Sequence, residues 1–333
     1  MGEVTPVVTI DWVDEAVVII DQTALPHRET YLRLSTVDEL IDAIVRLAVR
    51  GAPALGVAGA MGVALAVRQF KDQPEALAKA VTALATARPT AVNLARGVER
   101  AAAAIPDGPE AVLASALALR DEEVAASEAM AKRGADLLTE LCGDNPTVLT
   151  HCNTGGLATV TGGTALAVVV ELHRRGLLRG VIASETRPLL QGARLTAWEL
   201  GRLGIPYRIA VDGAGPFLMA RGEVQAVVIG ADRVCANGDV VNKVGSYAHA
   251  LGAAAAGIPF VVVCPESTVD TSTATGSDVE IEDRGAGEVV GFAGQRTAPA
   301  EAAAANPAFD VTPHHLVTAI VTERRVIDGG RPR

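Results

Sequence analysis

The sequence predicts an α/β protein whose N-terminal half is mostly helical and whose C-terminal half is built on a parallel sheet flanked by helices. Three observations lead there. From Thr147 onward, short runs of Val, Ile and Ala alternate with helix-length segments, the pattern of strand–helix–strand units with both sheet faces covered. Before that point, apolar residues recur mainly at helical spacing. The composition, 49% hydrophobic with 33 glycines and only 3% aromatic residues, suits small-residue helices packed closely on aliphatic strands.

In chain order, residues 16–20 (AVVII) and 29–34 read as short strands around a turn at Leu25-Pro26. Residues 36–49 read as a helix. Thr36 can cap it, Glu39 stands three residues on, and Leu40, Ile41, Ile44, Leu47 and Ala48 share one face. RGAPALGVAGAMGVALA follows from Arg50, with Pro53 suited to a first helical turn. Further helices are expected at 76–87, 91–104 and 108–141, and the boundary between an N-terminal domain (1–122) and a C-terminal one (123–333) is placed inside the last. TVLTHC, GVIAS, YRIAVD, AVVIGAD and PFVVVC then read as strands, and TGGTALAVVVELHRRG and RLTAWELGRLG as the helices among them. Residues 271–301, rich in Gly, Thr and acids, read as a long surface loop, and HLVTAIVTE (315–323) shows helical periodicity. No internal repeat is visible.

A chain of 333 residues with 20% charged residues can bury a sizeable core and is too apolar for disorder. The net charge of −10 and pI near 5.2 argue against a nucleic-acid partner. No N-terminal segment reads as a signal peptide, and the apolar stretch 52–67 falls short of the roughly 20 residues of a membrane span, so a soluble cytoplasmic protein is expected. Cys142, Cys152, Cys235 and Cys264 form no CxxC or Cys/His ligand spacing, and no metal site is expected.

Four stretches concentrate polar residues where binding loops form. In QAVVIGADRVCANGDVVNKVGSY an apolar strand ends in Gly230-Ala231, then Asp232, with Asn242 and Lys243 further on. A carboxylate beyond the carboxyl end of a parallel strand lies at the mouth of a site, although Asp also caps helices. Arg50-Gly51-Ala52-Pro53 opens a helix, where free N–H groups and an arginine suit a phosphate; the same residues also serve to shape a turn. Cys152 falls where a strand meets Gly155-Gly156, placing a thiol in a pocket or in the core, whereas His151 points to the other side. Ser184–Arg194 brings Arg187, Gln191 and Arg194 between a strand and a helix. The glycines at 56, 59 and 62 miss the dinucleotide spacing, and no Walker lysine is present.

IDQTALPHRETYLRLSTVDEL, RGAPALG, ARPTAVNL, LTHCNTGGLAT, ETRPLLQGARLTAWEL, GADRVCANGDVVNKVGSY, GIPFVVV and FDVTPHHLVTAIVTE together resemble the methylthioribose-1-phosphate isomerase family over most of the chain. The wider superfamily also holds ribose-1,5-bisphosphate isomerases and regulatory subunits of a eukaryotic initiation factor. The resemblance implies a helical N-terminal domain with a Rossmann-like C-terminal domain, a homodimer, a sugar 1-phosphate substrate and no metal or other cofactor. It implies that Asp232 is the proton donor and Cys152 the second catalytic residue. It assigns Arg50, Gly51 and Ala52 to the phosphate, and Arg88, Gln191, Asn242 and Lys243 to substrate contacts, while Arg233 and Asp239 carry no role. Desolvation beside VVIGA would keep a proton on Asp232. The chain departs from the family pattern at Thr154, Gly156, Ser184, Leu189 and in VEIEDR (279–284). Two other functions remain open: isomerisation of a related pentose 1-phosphate (5-deoxyribose 1-phosphate or ribose 1,5-bisphosphate), and a non-catalytic regulatory subunit.

Overall fold

The computed structural model describes residues 7–89 and 91–329. The chain divides into two compact units. One runs up to Ala129 and takes in Thr154–Ala167; the other comprises Met130–Asn153 and continues from Val168. The expected boundary at 122/123 and the division between the units both fall within the helix Pro109–Cys142. The return of Thr154–Ala167 to the first unit has no counterpart in the sequence reading. Hydrogen bonds explain it: Thr9 donates to Val160 O and Gly156 O, Gln22 Nε2 to Leu157 O, and Ser127 Oγ to Thr161 O and Gly163 O.

The first unit carries an antiparallel three-stranded sheet, Ile10–Val13, Ala16–Ile20 and Tyr31–Leu34. Helix Val37–Val45 is capped as expected: Glu39 N–H reaches Thr36 Oγ1, and Glu39 Oε2 accepts from Thr36 N–H. It stops short of 49 because Leu47 adopts φ +65°. The helices Ala52–Gln69, Pro74–Ala85 and Val92–Ala102 follow. Ala52–Gln69 is long and apolar enough to cross a membrane by length and composition, yet 83% of it is buried inside the protein, which makes it the central core helix. Its glycine stripe serves packing. A Cβ on Gly97 of the facing helix would run into the Gly56 carbonyl oxygen, and one on Gly59 would lie 2.7 Å from Leu94 O.

The second unit is built on a seven-stranded sheet. Its order is Val326–Asp328, Ala319–Val321, Phe260–Val263, Ala226–Ile229, Thr147–Thr150, Gly180–Ser184, Tyr207–Ala210, all parallel except the first pair. Every residue of the five inner strands is buried, as the continuous apolar runs require. The C-terminal segment corrects the sequence reading. Instead of a helix over 315–323, a single turn His314–Leu316 leads to the strand Ala319–Val321. A short apolar run fits either period, and β-branched Val317, Thr318, Ile320, Val321 and Thr322 favour the extended form once Phe260–Val263 offers an edge. The segment 271–301 is indeed irregular, holding only single turns and the small hairpin Gly291–Phe292 with Gln295–Arg296.

A second, four-stranded sheet went unseen in the sequence: Val269–Asp270, Arg233–Cys235, Val240–Lys243 and Phe309–Thr312. Its strands are only two to four residues long and interrupted by the Asn237-Gly238 turn, so no alternation develops.

Gly97→Ala should lower the unfolding free energy by about 2 kcal/mol or more, because the added methyl meets backbone rather than a movable side chain. Urea denaturation beside the wild type measures it, and an unchanged midpoint would contradict the close helix approach.

Candidate active site

In the first unit, Arg50 is half-buried and precedes Gly51, the N-cap of Ala52–Gln69. Gly51 has φ +94°, and a Cβ there would enter the Ala158 backbone, so no other residue fits. Its carbonyl accepts from Leu55 N–H at 2.9 Å, and Pro53 lies in the first turn, leaving the N-terminal amides of an 18-residue helix at the Arg50–Ala52 turn. Arg88 sits half-buried in the turn between Pro74–Ala85 and Val92–Ala102, its carbonyl accepting from Ala91 N–H.

In the second unit, the remaining predicted residues gather at one end of the sheet. Thr147–Thr150 is its first strand in chain order. The next two strands line up on one side of it, while Ala226–Ile229 pairs on the other, with Leu149 opposite Val227. The strand order therefore reverses between these two strands, and the carboxyl ends at such a reversal are where open parallel sheets place their ligands. Cys152 leaves from one of them and Asp232 from the other.

Cys152 is buried and held at φ +64°, a region that side chains other than glycine rarely occupy. Its N–H donates to Thr186 Oγ1 at 2.8 Å, and its carbonyl accepts from Thr196 Oγ1 at 2.6 Å. Thr186 and Leu190 share the left-handed conformation, with φ +66° and +56°, and a π turn, Gly192–Thr196, follows them. Strained backbone and π turns concentrate at functional sites. Burial pushes the Cys142 and Cys235 thiols up to about 11 and that of Cys264 further, which suits inert cysteines.

Gln191 is buried, and its Oε1 has no hydrogen-bond partner within the protein, an acceptor left for a ligand donor. The arginines beside it bind backbone. Arg187 donates to Pro188 O, Glu288 O and Val289 O and lies 5.8 Å from the Phe292 ring centre, and Arg194 Nε reaches Leu189 O at 2.9 Å.

Asp232 immediately precedes the Arg233–Cys235 strand, its N–H donating to Val241 O on the strand that carries Asn242 and Lys243. Its setting corrects the expected desolvation. Asp232 is exposed, because the apolar side chains of Ala226–Ile229 are buried within the sheet and do not cover the carboxyl. Asn242 is buried and donates to Ser246 Oγ at 2.8 Å. Lys243 Nζ donates to Ala308 O at 2.6 Å and lies 4.6 Å from the Phe309 ring centre. Arg233 pairs with Asp270, and Asp239 accepts from Gly276 and His314 N–H, so both fasten loops.

Two features were missed in the sequence. His151 Nε2 donates to Val244 O at 2.8 Å, so its Nδ1 is the acceptor for His249 Nε2, 3.3 Å away. Burial drives both imidazoles towards the neutral form, His249 to about 3, and the pair ties the Cys152 strand to the turn after Lys243. Asp310, opposite Asn242 in register, accepts from Gly245 and Tyr247 N–H through Oδ2, while its Oδ1 is buried without a hydrogen-bond partner. A lone Asp between Phe309 and Val311 in a short strand was the only trace of it in the sequence. Among the described residues, no three His, Cys, Asp or Glu side chains converge to hold a metal.

The family profile of the Initiation factor 2 subunit family matches residues 48–329, most of the chain. The chain belongs to the Initiation factor 2 subunit family. Within that family it is 54% identical over 309 residues to a methylthioribose-1-phosphate isomerase of Anaeromyxobacter sp. (strain K), covering 93% of this chain and 90% of that one. It is 49% identical over 335 residues to a 5-deoxyribose 1-phosphate isomerase of Moorella thermoacetica, covering 97% and 94%. A Nocardia farcinica protein named as a probable bifunctional methylthioribose-1-phosphate isomerase/methylthioribulose-1-phosphate dehydratase is 52% identical over 326 residues, 96% of this chain, but the chain spans only 59% of that protein's length. Among solved structures, 5-methylthioribose 1-phosphate isomerase from Pyrococcus horikoshii OT3 superposes with a TM-score of 0.89 at 38% identity, covering 96% of this chain and 92% of that one. The delta subunit of translation initiation factor eIF-2B from A. fulgidus gives 0.86 at 43%, covering 96% and 95%. The family resemblance carried by the sequence motifs therefore holds over nearly the whole chain.

Burial pushes the Asp310 carboxyl up from 3.8 to about 6, only partly offset by the Gly245 and Tyr247 amides and Lys243. A carboxyl raised on folding binds protons more tightly in the native state, so its contribution to stability falls as pH rises from about 4 to about 6 and stays unfavourable above, by about 3 kcal/mol. Asp310→Asn removes the titration. Its gain over wild type in urea denaturation should be largest above pH 7 and vanish near pH 4, and a gain independent of pH would contradict the buried carboxyl.

Proposed function

We propose that this protein is an intramolecular oxidoreductase, an aldose–ketose isomerase that converts 5-methylthioribose 1-phosphate to 5-methylthioribulose 1-phosphate in methionine salvage. The observation that carries the reading is the emergence of Cys152, on strained backbone, and Asp232 from adjacent strands at the point where strand order reverses. The chain's identity to methylthioribose-1-phosphate isomerases supports it.

In this proposal the phosphate on C1 blocks a free aldehyde, so the ring must open first. Asp232 gives its proton to the ring oxygen as the C1–oxygen bond breaks, the bonding pair staying on that oxygen and C1 becoming an oxocarbenium. Because Asp232 is exposed, the bound substrate itself excludes water from the carboxyl. Cys152, as thiolate, takes the C2 proton to give an enol, and the thiol exchanges that proton with water before protonating C1, while the O2 proton passes to the Asp232 carboxylate and leaves a ketone at C2. The competing route moves hydride directly from C2 to C1, with Cys152 beside the developing charge. Arg50, Gly51 and Ala52 bind the phosphate. Arg88, Asn242 and Lys243 contact the substrate, and the open Oε1 of Gln191 accepts a sugar hydroxyl. No metal or other cofactor takes part, and the protein acts in the cytoplasm.

A homodimer is part of the proposal, with no nucleic acid and no membrane as partners. Tyr207, Ile209 and Val211 on and after the sheet's edge strand, with Phe217, Tyr247 and Leu251, are large exposed apolar side chains that suit a second copy. One specific observation favours a second substrate, 5-deoxyribose 1-phosphate: the identity to the Moorella thermoacetica enzyme.

The test compares 5-methylthioribose 1-phosphate, 5-deoxyribose 1-phosphate and ribose 1,5-bisphosphate as substrates. The first should give the highest kcat/KM, and Asp232→Asn and Cys152→Ser should each lose about a hundredfold or more in kcat. Preference for another sugar replaces the substrate assignment. Turnover of none of them, with tight binding of a protein partner instead, leaves a regulatory subunit. With C2-deuterated substrate, loss of label to water supports the Cys152 proton route, and full retention at C1 excludes it.

A further inference from the structure

Thr186 stands out on three counts. It is fully buried, it is β-branched, and it occupies the left-handed conformation at φ +66°. Glycine or asparagine relieves that strain, and a β-branched side chain aggravates it. Its hydroxyl is used twice: Oγ1 accepts the Cys152 N–H at 2.8 Å and donates to Ser184 O at 3.0 Å. The backbone beneath it is anchored independently. Asp212 accepts from Thr186 N–H at 2.8 Å and from Arg187 N–H at 2.7 Å, and also pairs with Ser184 Oγ. Gly192 preserves the space, since a Cβ there would collide with Ser184 O and come within 3.0 Å of Thr186 Oγ1. On the far side of the same residue, Thr196 Oγ1 holds the Cys152 carbonyl at 2.6 Å. Cys152 is thus gripped at both its N–H and its C=O by threonine hydroxyls from the two ends of one loop.

We propose that Thr186, seconded by Thr196, is the positioning residue of the reaction: its hydroxyl holds the Cys152 backbone in the left-handed conformation that sets the direction of the thiol. The inference rests on the assignment of Cys152 as a reacting residue and adds the device that orients it. A conformation rare for a cysteine persists only when its surroundings over-determine it, and two hydroxyls holding the peptides on either side of one residue do so. The loop pays its own strain at Thr186 to supply the donor–acceptor hydroxyl that a glycine lacks.

Valine matches threonine in shape and β-branching, so Thr186→Val removes the hydroxyl alone, and Thr186→Ser restores it. In the full chain, Thr186→Val should lower kcat about tenfold or more, with KM within about twofold, since an orphaned N–H frees the Cys152 backbone. Thr186→Ser should stay within about threefold of wild type, and Thr196→Val should lower kcat in the same sense. If Thr186→Val does not fold, Thr186→Ala, less strained at this φ, takes its place with the same expectations. Independently of turnover, the rate of Cys152 alkylation by iodoacetamide at fixed pH, followed by peptide mass, should change more than about threefold in Thr186→Val and less than twofold in Thr186→Ser. Wild-type kcat and alkylation in the valine variant, or equal losses with valine and serine, would overturn the proposal. A wild-type protein that isomerises no sugar phosphate defeats the proposed reaction, while the alkylation rates still decide the clamp.

Discussion

The second unit depends on one constraint: parallel strands buried on both faces leave their ends as the places where their backbone and side chains can meet a solute. Thr147–Thr150, Gly180–Ser184, Ala226–Ile229, Phe260–Val263 and Ala319–Val321 satisfy their hydrogen bonds along the ladder and their side chains in the core. Polar chemistry is thereby expelled to the carboxyl ends. Where strand order reverses, between Thr147–Thr150 and Ala226–Ile229, the chain after one strand leads to Cys152 and after the other to Asp232.

Around these strand ends the loops are held by side chain-to-backbone bonds. Asp212 secures the Thr186–Arg187 turn, Thr186 and Thr196 secure Cys152, Asp310 secures the Gly245–Tyr247 turn, and His151 reaches Val244. Several of these arrangements are unfavourable alone: left-handed Cys152 and Thr186, a buried carboxyl raised to about 6, and two imidazoles kept from their protons. Such local strain is sustained by the rigid sheet behind it. In the first unit, by contrast, the polar turn at Arg50–Ala52 rests on close packing. Gly51 against Ala158 and Gly56 against Gly97 let the backbones approach as no larger residue would.

Where function can be read, it follows the same logic. Gln191 presents a buried acceptor without a partner, Asn242 is oriented by Ser246, and Lys243 lies over Phe309. A buried amide oxygen without a partner and an oriented amide suit a ligand rich in hydroxyls better than a flat aromatic one.

The sequence by itself determined the elements whose signal is local: the Thr36–Glu39 capping box, the core helix opened by Pro53, and the inner strands written as continuous Val/Ile/Ala runs. It also singled out Cys152, Asp232 and the other residues to which the family pattern assigns roles, because long motifs such as LTHCNTGGLAT and GADRVCANGDVVNKVGSY carry that pattern. What depends on partners distant in sequence was decided only by the tertiary structure. Ala319–Val321 became a strand because Phe260–Val263 offered it a ladder. Arg233–Cys235 and Val240–Lys243 formed a sheet too short-stranded to show alternation. Asp232 is exposed because apolar neighbours in a strand face the sheet's own core. Thr186, 34 residues from Cys152, meets it only when two loops close on each other in space. Periodicity and motif report what a residue prefers among its neighbours in sequence, whereas burial, strain and hydrogen-bond partnership arise from neighbours in space.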